Sequence, residues 1–565
     1  MVRMMKLVSC LAVIMFVLAP MAFSAAMKPT ADELLKPDKA NWVHYHGNYR
    51  AWRYSELDQI NKNNVKDLVP VCAFQPGGNA IEEGLEATPI VYDGVIYLST
   101  SWNRVYALDG ATCKVIWSYF YKYPKEINTF FIPYNRGVAI GDGKVFMGTI
   151  DAYLIALDMK TGKEVWKTQV DDWTKNGNNI TGAPLVVKDK VITGTTGGEL
   201  PIRGFIAAYN IKDGKEAWRF YTIPDKDKNE PGSETWGGDS WKTGGGGMWL
   251  TGSYDPELNL VYFGIANPAP DYDWGEARPG DNLYTSSVVA LNPDDGKLKW
   301  YFQQNPHDPL DFDAWENVLI DTKDGKKLSI SPNKGGYVFV LDRTSGKYVN
   351  GFPAVENLDW FTGVDKDGKL QGVRAPKLGE KFFNCPAIMG GMQWNAGAYS
   401  PKAGLWYRAG QELCQETTVR KETPVTSPQA QTFFGADFVL KPAVKGQTGG
   451  HVDAWDPVTG KKKWSIPEKY FVLSNFLATA GGLLFYGDAE GNAKAVDADT
   501  GKLLWSFNAG SGHRGGPVTY MAKGAQYVAI PSGWGSKVGG GFPQLWPETE
   551  AWKHSAVLFV YGLKK

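Results

Sequence analysis

One phrase recurs along this chain and constrains its fold more than any other feature. It reads Ala156-Leu157-Asp158-Met159-Lys160-Thr161-Gly162-Lys163-Glu164-Val165-Trp166, and it returns from Ala495 through Asp497, Thr500 and Gly501 to Trp505. Looser copies run from Ala107 to Trp117, Ala208 to Trp218, Ala290 to Trp300 and Ala454 to Trp464, and a truncated one spans Val340 to Lys347. In each copy an apolar strand ends at Asp or Asn, a turn reverses the chain, and in the full copies a second strand carries Trp. The acidic side chain can accept turn N–H groups, glycine permits positive φ, and the indole is a plate too large for one repeat to bury alone. Four-stranded antiparallel sheets arranged radially bury that plate between neighbours, so the sequence predicts an all-β fold, a β-propeller with tryptophan-docking repeats. Seven copies, together with a closing strand Ala556–Tyr561 that could pair with the N-terminal segment, predict eight blades. No long amphipathic helix points to a competing architecture.

The 65 Gly, 22 Trp, 27 Tyr and 26 Phe among 565 residues suit a turn-rich chain with many aromatic anchors. Lys and Arg number 60 against 60 Asp and Glu, and the longest basic run is Lys461-Lys462-Lys463, which argues against a nucleic-acid surface. Residues 1–26 read as a secretory signal, with Arg3 and Lys6 before the mostly apolar run Leu7–Leu18 and small residues around Ala22-Phe23-Ser24. Residues 27–565 are then the mature propeller domain, soluble in an oxidising, periplasmic compartment, since no later stretch is apolar enough to span a bilayer. Removing Cys10 with the leader leaves Cys72, Cys113, Cys385 and Cys414. Cys113 stands where other repeats have glycine, and either a bridge to Cys72 or a buried free thiol suits it. No Cys-x-x-Cys-His occurs, so a covalently attached haem of the usual type is excluded.

The repeat spacing is uneven: Trp117 to Trp166 is 49 residues and Trp166 to Trp218 is 52, but Trp218 to Trp300 is 82. Extra residues between regular strands go into loops, which directs the search for chemistry to segments 225–285 and 350–450. Asp311-Phe312-Asp313 would place two carboxylates on one face if extended, and convergent carboxylates call for a shared proton or a cation. Two solvated acids in a turn is the bland alternative. His44-x-His46 lacks a third ligand nearby, and His513, in a glycine-rich loop, is a minor site candidate.

Several stretches are long, ordered and specific: Tyr54-Ser55-Glu56-Leu57-Asp58-Gln59-Ile60-Asn61, Asn135-Arg136-Gly137-Val138-Ala139, Trp241-Lys242-Thr243-Gly244-Gly245-Gly246, Gly280-Asp281-Asn282-Leu283-Tyr284-Thr285-Ser286-Ser287 and Ser532-Gly533-Trp534-Gly535. Through them the chain resembles the pyrroloquinoline quinone (PQQ)-dependent alcohol dehydrogenases of the methanol and ethanol dehydrogenase family over nearly its full mature length. The resemblance implies a central PQQ with a cation at its quinone side. Carried over position by position, Glu199, Asn267 and Asp311 match the metal site, and Asp311 matches the general base. Arg136 matches the arginine near the reactive carbonyl, Lys334 a position held by Arg or Lys, and Trp249 the indole against the cofactor. Glu86, Thr181, Thr196, Gly197 and Gly198 align with residues that hold the quinone's carboxylates and edges, and Gln393 and Trp394 with a further contact segment. Asp313 resembles the lanthanide-dependent branch, where a trivalent ion takes one more anionic ligand; calcium is the alternative. Cys385 and Cys414 align with a family disulfide.

Two departures stand out. Family members usually place adjacent cysteines five and six residues before the arginine; this chain has Phe130-Phe131, which read as an aromatic lid in place of the disulfide ring or as a drifted site. After Asn267-Pro268-Ala269-Pro270, methanol enzymes commonly have Trp where this chain has Asp271; Tyr272 or Trp274 as a pocket residue keeps methanol open, while a substrate larger than methanol gains ground. The expected function is oxidation of a primary alcohol, or its derived aldehyde, by hydride transfer to metal-bound PQQ, with a separate soluble cytochrome c as acceptor. The competing expectation is a PQQ-free, vestigial-site propeller serving as an envelope binding or assembly module. Whether the chain forms a homodimer or recruits a small subunit is open from sequence.

Overall fold

The computed structural model describes residues 27–77, 84–127, 133–426, 431–552 and 554–564; the predicted leader and Phe130-Phe131 lie outside them. The chain is all-β, and among the described residues eight sheets have four or five strands each. The sheet of Ala139–Gly141, Lys144–Gly148, Tyr153–Asp158 and Glu164–Gln169 is typical: four consecutive antiparallel strands, the first three almost wholly buried and the fourth alternating toward solvent. This is the pattern of sheets packed face to face around a centre, a β-propeller.

The recurring phrase builds the joints between sheets. Asp158 Oδ1 accepts the turn N–H groups of Lys160 and Thr161 at 3.1 and 2.8 Å, and Gly162 sits at φ 69°. Trp117 of the preceding sheet lies flat on that turn: a Cβ on Gly162 would come within 2.5 Å of the indole, whose Nε1 donates to Met159 O at 2.9 Å. Glycine is required there by both φ and contact. Trp166 packs in the same way on Gly214, Trp218 on Gly296, Trp300 on Gly346 and Trp464 on Gly501. The truncated repeat carries no Trp, and Phe352 takes the place on Gly460.

The ring's last joints differ. Trp505 Nε1 donates to Leu68 O at 3.0 Å, and its ring meets Tyr561 edge-on. The closing strand, Val557–Leu563, pairs on one side with Ala525–Ser532 and on the other with Leu68–Phe74, as the sequence allowed. At the remaining joint Cys72, in Leu68–Phe74, is disulfide-bonded to Cys113 in the first repeat's turn, with Cα atoms 5.8 Å apart. That answers the open pairing: a covalent bond stands where other joints use an aromatic ring on glycine.

The long spacing at 350–450 holds a separate three-stranded sheet, Lys381–Asn384, Cys414–Val419 and Ala436–Lys441, fastened by the Cys385–Cys414 disulfide. No helix among the described residues is long and apolar enough to cross a membrane.

Candidate active site

Loops at one end of the sheets converge on a cavity of about 390 Å³, within the ~300–1,000 Å³ typical of small-molecule sites. Its wall follows a positional rule: the residue three or four places before a sheet's first strand faces it. Glu86 precedes Ile90–Tyr92, Arg136 precedes Ala139–Gly141, Thr181 precedes Leu185–Val187, and Trp249 precedes Ser253–Asp255. Trp315, Trp394 and Arg514 hold the equivalent places before Val318–Asp321, Ala398–Ser400 and Val518–Ala522. Thr196, Gly197, Glu199 and Lys334 enter from the loops after the second strands, beside Asp311, Asp313 and Gln393. Ile388, Met389, Phe434, Phe438 and Leu440, from the 350–450 segment, complete the wall with residues of 538–544.

Gly198 and Asn267 stand behind this wall, in contact with each other. A Cβ on Gly198 would lie 1.6 Å from Asn267 Oδ1, so glycine is what lets the amide oxygen sit beside Glu199. Asn267 Nδ2 donates to Asp271 Oδ1 at 2.8 Å, and its backbone N–H donates to Asp313 Oδ1 at 2.6 Å. Asp311 adopts φ 63°, so the extended geometry expected for Asp311-Phe312-Asp313 fails at its first residue. Both carboxylates nevertheless reach the cavity wall. A non-glycine residue at positive φ is strained, a condition that recurs at functional sites.

Lys334 Nζ pairs with Asp311 Oδ2 at 2.5 Å, while Asp311 Oδ1, Asn267 Oδ1 and Asp271 Oδ2 are buried without a hydrogen-bond partner. Burial, then repulsion from Asp313 and Glu199, pushes the Asp311 carboxyl well above its ordinary range against the pull of Lys334. Asp313 is raised to about 7, chiefly by burial, and Asp271 rises through burial and the charges of Asp311 and Glu199. Burial alone would lower Lys334; Asp311, Asp313 and Glu199 more than offset it and hold the ammonium protonated.

Arg136 lies at the other side of the problem. Its guanidinium is 4.9 Å from the Trp249 ring centroid and 4.6 Å from that of Trp394, Nη1 donates to Thr181 Oγ1 at 2.7 Å, and Nη2 is 3.2 Å from Glu86 Oε2. Thr181 and Thr196 share a hydrogen bond at 2.8 Å between their hydroxyls.

The donor set fits a hard cation, since amide and carboxylate oxygens are what such ions take. Among the described residues no three Asp, Glu, His or Cys side chains already converge as a finished metal shell. Asn267 Oδ1 and Asp311 Oδ1 are, however, unpartnered acceptors, and one ammonium, Lys334, offsets the carboxylates of Glu199, Asp311 and Asp313. Added positive charge there would lower the raised carboxyls. Two indoles, two guanidinium groups and paired threonine hydroxyls likewise fit a flat, anionic organic cofactor.

Other sequence candidates fall away. His513 is buried, its ring nitrogens held by Pro531 O and Gly491 O at 2.8 and 3.2 Å, and its neighbour Arg514 reaches the cavity instead. His44 and His46 bind the carbonyls of Leu34 and Thr251, and burial lowers them to about 4 and about 3. Neither Tyr272 nor Trp274 lines the cavity; the Tyr272 hydroxyl accepts from Gln415 Nε2 at 2.7 Å. The residues that sequence reasoning missed are Arg514, Trp315 and the apolar wall from 388 to 440, and Asp271 proves to be the partner of the Asn267 amide.

A propeller whose loops gather a carboxylate–lysine cluster, three tryptophans and two arginines at one cavity has the lining of a binding site for a flat, anionic cofactor. The particular family follows from comparison. The family model described as PQQ glucose/ethanol/alcohol dehydrogenase, beta-propeller domain, matches residues 42–357 and 470–528. The quinoprotein alcohol dehydrogenase PedH of Pseudomonas putida is 42% identical over 513 residues, 86% of this chain and 85% of that one. Methanol dehydrogenase (cytochrome c) subunit 1 of Methylobacterium organophilum is 39% identical over 587 residues, covering 95% and 91%. The structure of a europium-containing methanol dehydrogenase superposes with a TM-score of 0.88 at 34% identity, covering 94% of this chain and all of that one. This chain belongs to the quinoprotein alcohol dehydrogenase family.

Proposed function

We propose that this chain is an exported, PQQ-dependent dehydrogenase that oxidises a primary alcohol, or the aldehyde derived from it, and passes the electrons to a separate cytochrome c. The observation that carries this reading is Asp311, held at positive φ on the cavity wall with one carboxylate oxygen on Lys334 and the other unpartnered. Bound PQQ would supply the hydride acceptor and a bound cation the Lewis acid, chemistry that belongs to those groups. Asp311 Oδ1 takes the alcohol proton, with Lys334 fixing the carboxylate's orientation through Oδ2. Arg136 offers its guanidinium to negative charge that develops beside it, and Trp249 and Trp394 would exclude water from a flat ligand in the cavity. Glu199, Asn267, Asp311 and Asp313 would hold the cation, and Asp271 fixes the Asn267 amide by accepting from its Nδ2, which leaves Oδ1 free to serve as a ligand. The number of buried carboxylates favours a trivalent lanthanide over calcium, and the europium in a similar methanol dehydrogenase supports that preference. The printed acceptor of a methanol dehydrogenase relative supports cytochrome c.

In this reading residues 1–26 direct export to the periplasm and 27–565 form an eight-bladed domain, one blade for each of the eight sheets. The test is reconstitution of the mature chain with PQQ and La³⁺, Ca²⁺ or no metal, following dye-linked oxidation of short and long alcohols. La³⁺-dependent activity that disappears in Asp313→Ala is expected. Absence of PQQ binding under every metal condition would overturn the assignment in favour of a propeller that serves as an envelope binding or assembly module.

A further inference from the structure

Arg514 is almost fully buried, lines the cavity, and spends one nitrogen: Nη2 donates to Glu86 Oε1 at 2.6 Å. Its Nε and Nη1 are buried with no hydrogen-bond partner. Glu86 does not belong to it alone, because the other carboxylate oxygen faces Arg136 Nη2 at 3.2 Å. Two guanidinium groups thus share one carboxylate, both near Trp394, at 4.6 and 5.9 Å from its ring centroid. An arginine buried with idle donors and half a counter-charge is costly unless an anion completes it.

The backbone leaves Arg514 little freedom to turn elsewhere. Gly515 passes so close to Ala87 O and Pro531 that a Cβ would lie 2.6 and 2.7 Å from them, and Gly516 N–H donates to Ala87 O at 3.2 Å. The loop is therefore fixed against the Glu86 segment, and the arginine occupies the same place before its strand as Glu86, Thr181, Trp249 and Trp394 do before theirs.

We propose that Arg514 is a carboxylate-binding residue of the cavity, completing with Arg136 a cationic clamp around Glu86 for an acid group of the bound ligand. The acid belongs either to the quinone cofactor or to an alcohol substrate that itself carries a carboxylate. Guanidinium–carboxylate pairs are charge-assisted and directional, and removing one buried partner is far from neutral. This inference rests on the PQQ reading above.

The test compares wild type, Arg514→Gln and Arg514→Lys, each checked for native folding by circular dichroism and thermal unfolding. Equilibrium PQQ binding is measured by fluorescence quenching at fixed La³⁺ without substrate. The PQQ-saturated enzymes are then assayed with a plain primary alcohol and with an ω-hydroxy acid of equal length. If the cofactor supplies the acid, Arg514→Gln raises the PQQ Kd at least tenfold and Arg514→Lys recovers part of it. If the substrate supplies it, PQQ binding stays within twofold and only the KM for the hydroxy acid rises, again at least tenfold. Unchanged PQQ affinity together with an unchanged ratio of the two KM values overturns the proposal. Should Arg514→Gln fail to fold, Arg514→Lys decides alone: it keeps the charge but not the guanidinium geometry, so an affinity loss of at least threefold in either arm supports the clamp and none overturns it. Failure of wild type to bind PQQ would overturn the functional reading instead, a result distinct from any of these.

Discussion

The rim and the cavity are built by the same sheets under opposite rules. At the rim, six joints set an aromatic plate on a glycine, and Trp117 finds both its apolar contact and its indole acceptor in the next sheet. At the cavity, Asp311 and Asn267 each keep an oxygen without a partner, and carboxylates crowd around one lysine. The rim's turns bind their own acids and its indoles find carbonyl acceptors in the next sheet; the cavity stores unsatisfied charge that a ligand can relieve. Stability and function are therefore separable by position within a single sheet, and substitutions in the two regions should fail in different ways.

The largest effect is expected at Asp311. Asp311→Asn should lower kcat by about 10²–10⁴, the usual contribution of a positioned base, while the urea midpoint of the protein without ligands changes little, because loss of the Lys334 ion pair is offset by relief of the repulsion from Asp313 and Glu199. Trp117→Ala should do the reverse, costing about 3–5 kcal/mol in urea unfolding as a large buried ring is lost, with activity per folded molecule retained. A comparable loss of stability in Asp311→Asn would break the comparison. Replacing Cys72 and Cys113 together by Ser should cost about 2–4 kcal/mol, because that joint has no ring on glycine to fall back on, and the variant's midpoint should no longer respond to reductant at that bond.

The smallest effect concerns a charged cluster away from both regions. Burial works against protonation of His451, yet Asp453 at 2.9 Å and Glu412 at 3.2 Å raise it from 6.5 to about 9. Lys462 also faces Asp453, at 3.1 Å. A pKa raised by folding contributes stability that is complete below the unfolded value and lost as pH climbs through the folded one. Unfolding free energy should therefore fall between pH 6.5 and about 9 by on the order of 2–3 kcal/mol, and His451→Gln should flatten that slope.

The rim was legible in the sequence because each joint needs particular residues in a short span: an acid to bind the turn, a glycine for positive φ, a Trp for volume. The exceptions fit the same logic. The truncated repeat has no Trp to mark its joint, and Phe352 fills the place because a flat aromatic ring of either kind covers Gly460. Cys113 looked anomalous at a glycine position until its partner was seen to replace the joint. The cavity was far less legible, since Glu86, Asp311 and Arg514 meet only after the sheets have assembled, and no local pattern marks them. Family resemblance supplied most of them. Strand periodicity puts both carboxylates of Asp311-Phe312-Asp313 on one face, a pattern that positive φ at Asp311 breaks, and nothing local marks Asp271 as the partner of the Asn267 amide. In Gly512-His513-Arg514-Gly515 the imidazole is the titratable group, but the arginine, four places before Val518–Ala522 in the folded sheet, is the side chain that faces the cavity.

The bond from Trp505 to Leu68 spans 437 residues of sequence, and it bears on when this molecule can fold at all. At ~5–20 residues per second, Leu68–Phe74 leaves the ribosome roughly half a minute or more before its partners exist. Until Val557–Leu563 arrives, that strand lacks its neighbour and presents an unpaired edge. Ring closure is consequently an event of the finished polypeptide. A nascent chain held open in this way remains threadable, which is the state that a translocation channel for unfolded proteins demands.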